Sequence, residues 1–180
     1  MAHFGPIYAR RLRARRPSPT GRWYLDEVLV SIAGKQMYLW RAVDDEGEVL
    51  DILVQAKRDK DAALRLMRKL LKHQILLPTS IVTDRYRAYD AALRDLGLSR
   101  LHRRGKRLNN RAESSHVPIR RRERKMQGFR SAGSAQRFLS SHSAVYNTFN
   151  ICRHLTTAST HRILRAEAFD AWRMAAAAVA

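Results

Sequence analysis

The chain has 180 residues, of which 45% are apolar, and its 35 Lys and Arg against 16 Asp and Glu give a formal net charge of +19. This apolar content excludes a disordered tail, and the length suits one ordinary domain with its own core. Such a positive charge opposes a compact state and indicates a polyanionic partner, nucleic acid rather than a membrane, because no apolar run reaches the length of a membrane span.

The first half of the sequence predicts a meander of strands. Residues 1–21 are expected to be a basic tail, since pairs of arginines precede the turn-rich stretch PSPTG. Aromatic and β-branched residues then predict three strands joined by short turns, RWYLDEVLVSI, QMYLWRAVD and EVLDILVQA. The next stretch, RDKDAALRLMRKLLKHQ, spaces its apolar residues as an amphipathic helix does.

The second half alternates strands and helices. We expect a buried strand in LPTSIVTD, a helix ending near Gly97 in RYRAYDAALRDLGL and a short strand in SRLHRR. A helical stretch begins at Asn109, where Pro118 requires either a kink or two short helices. Further helices follow. The order βββαβαβα predicts an α/β protein with the mixed five-stranded sheet of the ribonuclease-H-like fold and additional C-terminal helices.

Three acidic residues fall at informative places on this frame. Asp26 lies within the first strand, Asp84 ends the fourth strand and Glu113 lies on a late helix. The first and fourth strands are neighbours in this topology, so the acids can face one site, and three carboxylates suit Mg²⁺. The alternatives are an outward strand residue for Asp26, a helix cap for Asp84 and a surface ion pair for Glu113.

Basic residues are concentrated in three blocks. The first, in the N-terminal tail, is equally well explained as a solvated segment. The other two flank Glu113 and predict a phosphate-binding surface. On a continuous helix, Glu113, Arg120 and Arg124 would share one face. His116, one turn from Glu113, is expected either to orient a phosphate or a water or to be an ordinary polar surface residue.

Several stretches together resemble a known family. These are RWYLDEV, YLWRAVDDEGEVLD, VQAKRDKDAALRLMRKLL, IVTDRYRAY and the block NNRAESSHVPIRRRERK with the later FNxxRHL. They resemble the DDE transposases of the IS-six group of bacterial insertion sequences, from about Arg10 to Glu167. The resemblance implies that Asp26, Asp84 and Glu113 are the catalytic residues and bind Mg²⁺, for which Mn²⁺ can substitute. One DNA strand would be cut and its 3′-OH would attack target DNA.

The resemblance also implies double-stranded DNA as partner, a homodimer on that DNA and a cytoplasmic location, which a single cysteine, Cys152, favours independently. The catalytic domain is expected at 22–155, with a C-terminal helical extension at 156–180. The expected DNA contacts are Arg107, Asn109, Asn110, Arg111, His116, Arg120, Arg121, Arg124 and Lys125.

The sequence also departs from the family pattern. About 25 residues precede Asp26, too few for the helix-turn-helix domain that members usually carry, so the expectation is an N-terminally truncated copy. Two other functions therefore stay open. One is an inactive DNA-binding remnant, and the other is a ribonuclease or resolvase that cleaves without strand transfer.

Overall fold

The computed structural model describes residues 4–15, 18–74, 76–105, 107–125, 128–151 and 156–177. Cys152, Lys106 and part of the FNxxRHL motif lie outside these ranges. The chain divides into two compact units, Ser18–Gln136 and the combination of Met1–Pro17 with Arg137–Ala180. These limits differ from the expected divisions after residues 21 and 155, and each unit is described separately below.

The unit Ser18–Gln136 is built on a five-stranded sheet. Its strands are β1 (Arg22–Ile32), β2 (Lys35–Asp44), β3 (Val49–Gln55), β4 (Ser80–Thr83) and β5 (His102–Arg104). The spatial order is β3-β2-β1-β4-β5. The first three strands are antiparallel, as predicted, whereas β4 pairs in parallel with β1 and β5. This is the mixed sheet that the sequence predicts for a ribonuclease-H-like fold.

A two-residue turn sets the register of the first hairpin. Ile32 pairs with Lys35, and the two residues between them, Ala33 and Gly34, have φ of 51° and 75°. Positive φ at both central positions matches the right-handed twist of the flanking strands. Glycine takes this conformation freely, whereas Ala33 adopts one that is uncommon for a residue with a side chain.

Among the described residues of this unit, the α-helices that lie wholly within it are α2 (Lys60–His73), α3 (Arg87–Asp95), α4 (Asn110–Ser115) and α5 (Val117–Lys125). The Asp59 side chain caps α2 by accepting from the Ala62 N–H at 2.9 Å. The apolar faces of α2 and α3 share one core with β1 and β2. Trp40 of β2 and Tyr89 of α3 meet there edge to face, with ring centroids 5.6 Å apart.

Two short helices meet just before Pro118, which was one of the two predicted outcomes. The first helix, α4, ends at Ser115, and α5 begins at Val117. Pro118 therefore lies in the first turn of α5, where a missing backbone N–H leaves no helical hydrogen bond unmade. The single continuous helix that would have aligned Glu113 with Arg120 and Arg124 does not form.

The other unit is helical. It contains α1 (Phe4–Ala14), α7 (Ala158–Ala177) and most of α6 (Ala132–Phe149). Residues 4–14 thus form a helix where the sequence predicts a tail, because Tyr8, Ala9 and Leu12 recur at helical spacing and pack against apolar partners such as Ala175. None of the helices in the described ranges is long and apolar enough to cross a membrane.

Candidate active site

The pairing of β1 with β4 brings two of the predicted acids to neighbouring positions. Leu25 of β1 is the register partner of Thr83 of β4, and these two strands run parallel. The residues that come next in each strand direction, Asp26 and Asp84, therefore lie at adjacent positions near the carboxyl end of β4. Ligands of open α/β sheets gather outside this end of the strands.

Glu113 shares a cleft with the first acid. A cleft of about 400 Å³ is lined by Asp26, Glu27, Val28, Glu113, His116, Val117 and Arg120. Both α4 and α5 contribute residues to this cleft. The cleft therefore brings together Asp26, Glu113 and one of the predicted phosphate contacts, Arg120.

Asp84 does not line this cleft. Its Oδ1 accepts the Tyr86 N–H at 2.9 Å, an arrangement typical of an Asp at the start of a helix. Its Oδ2 lies 3.8 Å from Nη2 of Arg58, in the loop between β3 and α2. The carboxylate is thus held at the beginning of α3 and is about one quarter exposed, at 27%.

The donor chemistry of these acids suits a hard cation, but their arrangement does not yet form a complete ligand set. Carboxylate oxygens are what Mg²⁺ prefers, and it commonly uses only one or two of them with water and phosphate. Asp26 and Asp84 follow neighbouring positions, and Glu113 faces the cleft of Asp26. Among the described residues, however, no three His, Cys, Asp or Glu side chains converge closely enough to hold a metal ion.

His116 is a buried part of the site and not a surface residue. It is only 3% exposed, which excludes the alternative of an ordinary polar surface residue, while its contact with DNA stays a prediction. Its Nε2 lies 3.2 Å from Asp26 Oδ2, although the N–H direction is poor for a hydrogen bond, and Nδ1 has no hydrogen-bond partner in the described part of the chain. Burial lowers the pKa of His116, an effect that Asp26 only partly opposes.

Asn109 is also buried, although the sequence predicts that it contacts DNA. Its side chain has no exposed surface, and its amide donates to the Leu25 carbonyl oxygen at 2.9 Å. This bond ties the segment that precedes α4 to β1, one residue before Asp26. Asn109 therefore supports the fold through its Nδ2, whereas its buried Oδ1 has no hydrogen-bond partner within the described residues.

The other expected DNA contacts are exposed. They form a set that we call the basic surface: Arg107, Asn110, Arg111, Arg120, Arg121, Arg124 and Lys125. Arg120 lines the cleft of Asp26, whereas Arg124 lines a different depression beside the β1–β2 turn. These two arginines lie four positions apart on α5 and line two separate depressions.

One group beside the acids escaped the sequence analysis. The carboxylate of Glu27 is 1% exposed, and it accepts hydrogen bonds from Arg58 Nε at 2.5 Å and from the Tyr89 hydroxyl at 2.6 Å. Burial raises the pKa of Glu27, although both partners oppose the shift, and it also raises the pKa of Tyr89. The adjacent acids of the sequence LDEV were the available signal, since consecutive strand residues point to opposite faces of a sheet.

Comparison with known proteins assigns the family. The family model DDE_Tnp_IS240, described as a DDE domain, matches residues 20–151. The transposases of the insertion sequence-like element IS431mec and of IS257 in transposon Tn4003, both from Staphylococcus aureus, are each 30% identical over 134 residues. The match covers 72% of this chain and 59% of those relatives, so the chain spans less than two thirds of their length.

Solved structures agree on the fold. A chain of the simian T-cell lymphotropic virus intasome, solved with a PP2A regulatory subunit, has a TM-score of 0.55 at 14% identity, covering 76% of this chain and 51% of that one. The catalytic core domain of BIV integrase has a TM-score of 0.51 at 16% identity, covering 69% and 82%. The predicted ribonuclease-H-like fold is confirmed. The chain belongs to the DDE transposases of the IS-six group of bacterial insertion sequences.

Proposed function

We propose that this chain cuts DNA and joins the resulting 3′-OH to target DNA, with Asp26, Asp84 and Glu113 as its catalytic carboxylates. The observation that carries this proposal is the β1–β4 register, which sets two acids side by side while Glu113 faces the first of them. The family membership of residues 20–151 supports the same reaction class.

The three carboxylates would hold Mg²⁺, or Mn²⁺ in its place. When bound, such ions stabilise the attacking and leaving oxygens of an in-line phosphoryl displacement. His116 would keep the Asp26 carboxylate turned toward the cleft, since its Nε2 lies 3.2 Å from Oδ2. Arg120, which lines the same cleft, would bind a phosphate of the reacting strand.

The basic surface would bind double-stranded DNA through its phosphates. Its five arginines and one lysine are exposed, and the net charge of +19 favours a polyanion. Phosphate contacts orient a protein on the duplex without reading its sequence. Because a transposon has two ends, we propose that two copies of the chain act together on bacterial DNA, in the cytoplasm.

The test uses a pre-nicked oligonucleotide duplex with a free 3′-OH, a supercoiled plasmid as target, and Mg²⁺ or Mn²⁺. The wild-type chain is expected to join the two DNAs. Glu113→Gln should abolish joining without weakening binding, whereas Glu46→Gln, an exposed acid in the β2–β3 turn, is the matched control and should keep it. Full joining by Glu113→Gln would refute the assignment of that residue.

The same assay separates the other candidate functions. Salt-sensitive DNA binding without joining in either metal would support an inactive DNA-binding remnant. Cleavage without joined product would support a nuclease.

An independent readout is the melting temperature, because a cation that binds only the folded state raises it. Mn²⁺ should raise the melting temperature of the wild type and have a smaller effect on Asp84→Asn.

A further inference from the structure

Arg58 is held in one orientation by contacts on three sides. Its Nε donates to Glu27 at 2.5 Å, and its guanidinium lies over the Tyr86 ring, 3.9 Å from the ring centroid. The Tyr86 hydroxyl in turn donates to the Arg58 carbonyl oxygen. The loop between β3 and α2 is thereby fastened to the start of α3 through both the backbone and the side chain of Arg58.

The anchor of this arrangement is a buried acid. Removing a carboxylate from water is unfavourable unless it is paired and hydrogen-bonded. Within the part of the chain that the structure describes, Glu27 meets that condition with two partners, Arg58 and the Tyr89 hydroxyl. A buried Glu that binds the Nε edge of an arginine fixes the plane of the guanidinium and leaves its other edge directed elsewhere.

The other edge of Arg58 remains available to a ligand. Within the described residues, Nη1 has no hydrogen-bond partner, and Nη2 forms an ion pair with Asp84, whose Oδ2 lies at 3.8 Å, beyond hydrogen-bonding distance. The side chain is 40% exposed. A planar guanidinium whose amino groups make no hydrogen bond within the described residues can match two oxygens of a phosphate, and an orientation fixed in advance reduces the entropy lost on binding.

We propose that Arg58 binds a phosphate of the DNA strand beside Asp84, and that Glu27 and Tyr89 are the positioning residues that hold it there. This inference rests on the proposed function, because it requires DNA at the acids. Arg58 lies outside the basic surface, so it would add a separate contact from the loop between β3 and α2. A lysine at position 58 would keep the positive charge but would not replace Arg58, since lysine has neither the guanidinium Nε nor its planar fork.

The experiment maps the contact by neutralising one phosphate at a time. Pre-nicked duplexes carry a single uncharged methylphosphonate at successive positions around the 3′ end, and their affinity for the full chain is measured with and without Mn²⁺. For the wild type, one position near the 3′ end should weaken binding roughly tenfold, as expected for the loss of a charge-assisted hydrogen bond. Arg58→Ala and Arg58→Lys should bind more weakly and lose less than about twofold at that position.

Two further variants complete the design. Arg68→Ala removes the same charge from the exposed side of α2 and should respond to every methylphosphonate as the wild type does. Tyr89→Phe removes only the hydroxyl that holds Glu27, and it should reduce the effect at the Arg58 position without altering the others. Melting curves establish that each variant is folded, and Arg58→Lys keeps a cation beside Glu27 if Arg58→Ala unfolds.

The outcomes distinguish the inference from the function on which it rests. If the wild type binds and joins DNA but both Arg58 variants stay as sensitive as the wild type at every position, the inference is wrong and the proposed function stands. If the wild type neither binds nor joins the duplex, the proposed function is overturned and the inference falls with it.

Discussion

His116 Nε2 and Asp26 Oδ2 lie 3.2 Å apart in the wall of the cleft that also contains Glu113. The histidine comes from the junction of α4 and α5, and the acid comes from β1. This approach ties the short helices that follow the sheet to Asp26, the first of the proposed catalytic carboxylates. It gives the turn after Glu113 a role in the geometry of the site.

His116→Ala is expected to reduce strand joining and to lower the free energy of unfolding by about 1–3 kcal/mol, because it leaves a cavity beside Asp26. His116→Gln keeps a donor near the carboxylate and should restore part of the joining rate. The measurements are urea unfolding and the joining assay with the pre-nicked duplex. Equal joining rates for the wild type and His116→Ala would exclude a positioning role.

The basic surface predicts a loss of affinity that does not depend on DNA sequence. Arg120→Ala and Arg121→Ala should each weaken binding to unrelated duplexes by similar factors, and each should reduce the slope of log affinity against log salt by about 1. Arg94→Ala, which changes an exposed arginine of α3, serves as the control. Fluorescence anisotropy at several salt concentrations measures both quantities. A loss restricted to one DNA sequence would indicate base recognition instead.

We expect substitutions of the two adjacent asparagines to have unequal effects on stability. Asn109→Ala should lower the free energy of unfolding by about 1–3 kcal/mol, because the buried Leu25 carbonyl oxygen loses its donor. Asn110→Ala changes an exposed residue and should stay within about 0.5 kcal/mol of the wild type. Denaturant unfolding of the two variants provides the comparison. Equal destabilisation would show that the hydrogen bond of Asn109 is not what matters there.

His102 predicts a pH dependence of stability. Its Nε2 lies 2.8 Å from Thr83 Oγ1, and its Nδ1 lies 3.2 Å from Asp90. Burial lowers the pKa of His102; Asp90 opposes this shift, and Arg104 adds to it. The folded state therefore binds its proton less readily than the unfolded chain does.

The sign of the effect follows from proton linkage. The contribution of neutral His102 to stability is fully present above its unfolded pKa of about 6.5, and it is lost as pH falls from there toward the lower folded pKa. His102→Gln should lose less stability than the wild type between about pH 7 and 5. Thermal melts across this range measure the difference. Parallel pH profiles of the two proteins would contradict the assignment.

The sequence by itself determined the strands, the main helices and the position of two acids at neighbouring strands. These features depend on local periodicity and on one topological rule, and the register of Leu25 with Thr83 bears them out. The geometry of proline also predicted the two possible outcomes at Pro118, a kink or two short helices. What the sequence could not determine was which side chains the late helices would bury.

Only the tertiary structure decided that Asn109 and His116 are buried, because burial depends on which elements pack against a residue and not on its own sequence. The same holds for Arg58, which is 31 positions from the Glu27 it contacts, and for Tyr89, which is 62 positions from it. The residues next to Glu27 in the sequence do not indicate which distant residues it contacts. The pattern of charges predicted where DNA would bind, whereas the packing of β1 against α3 decided which arginine is held beside Asp84.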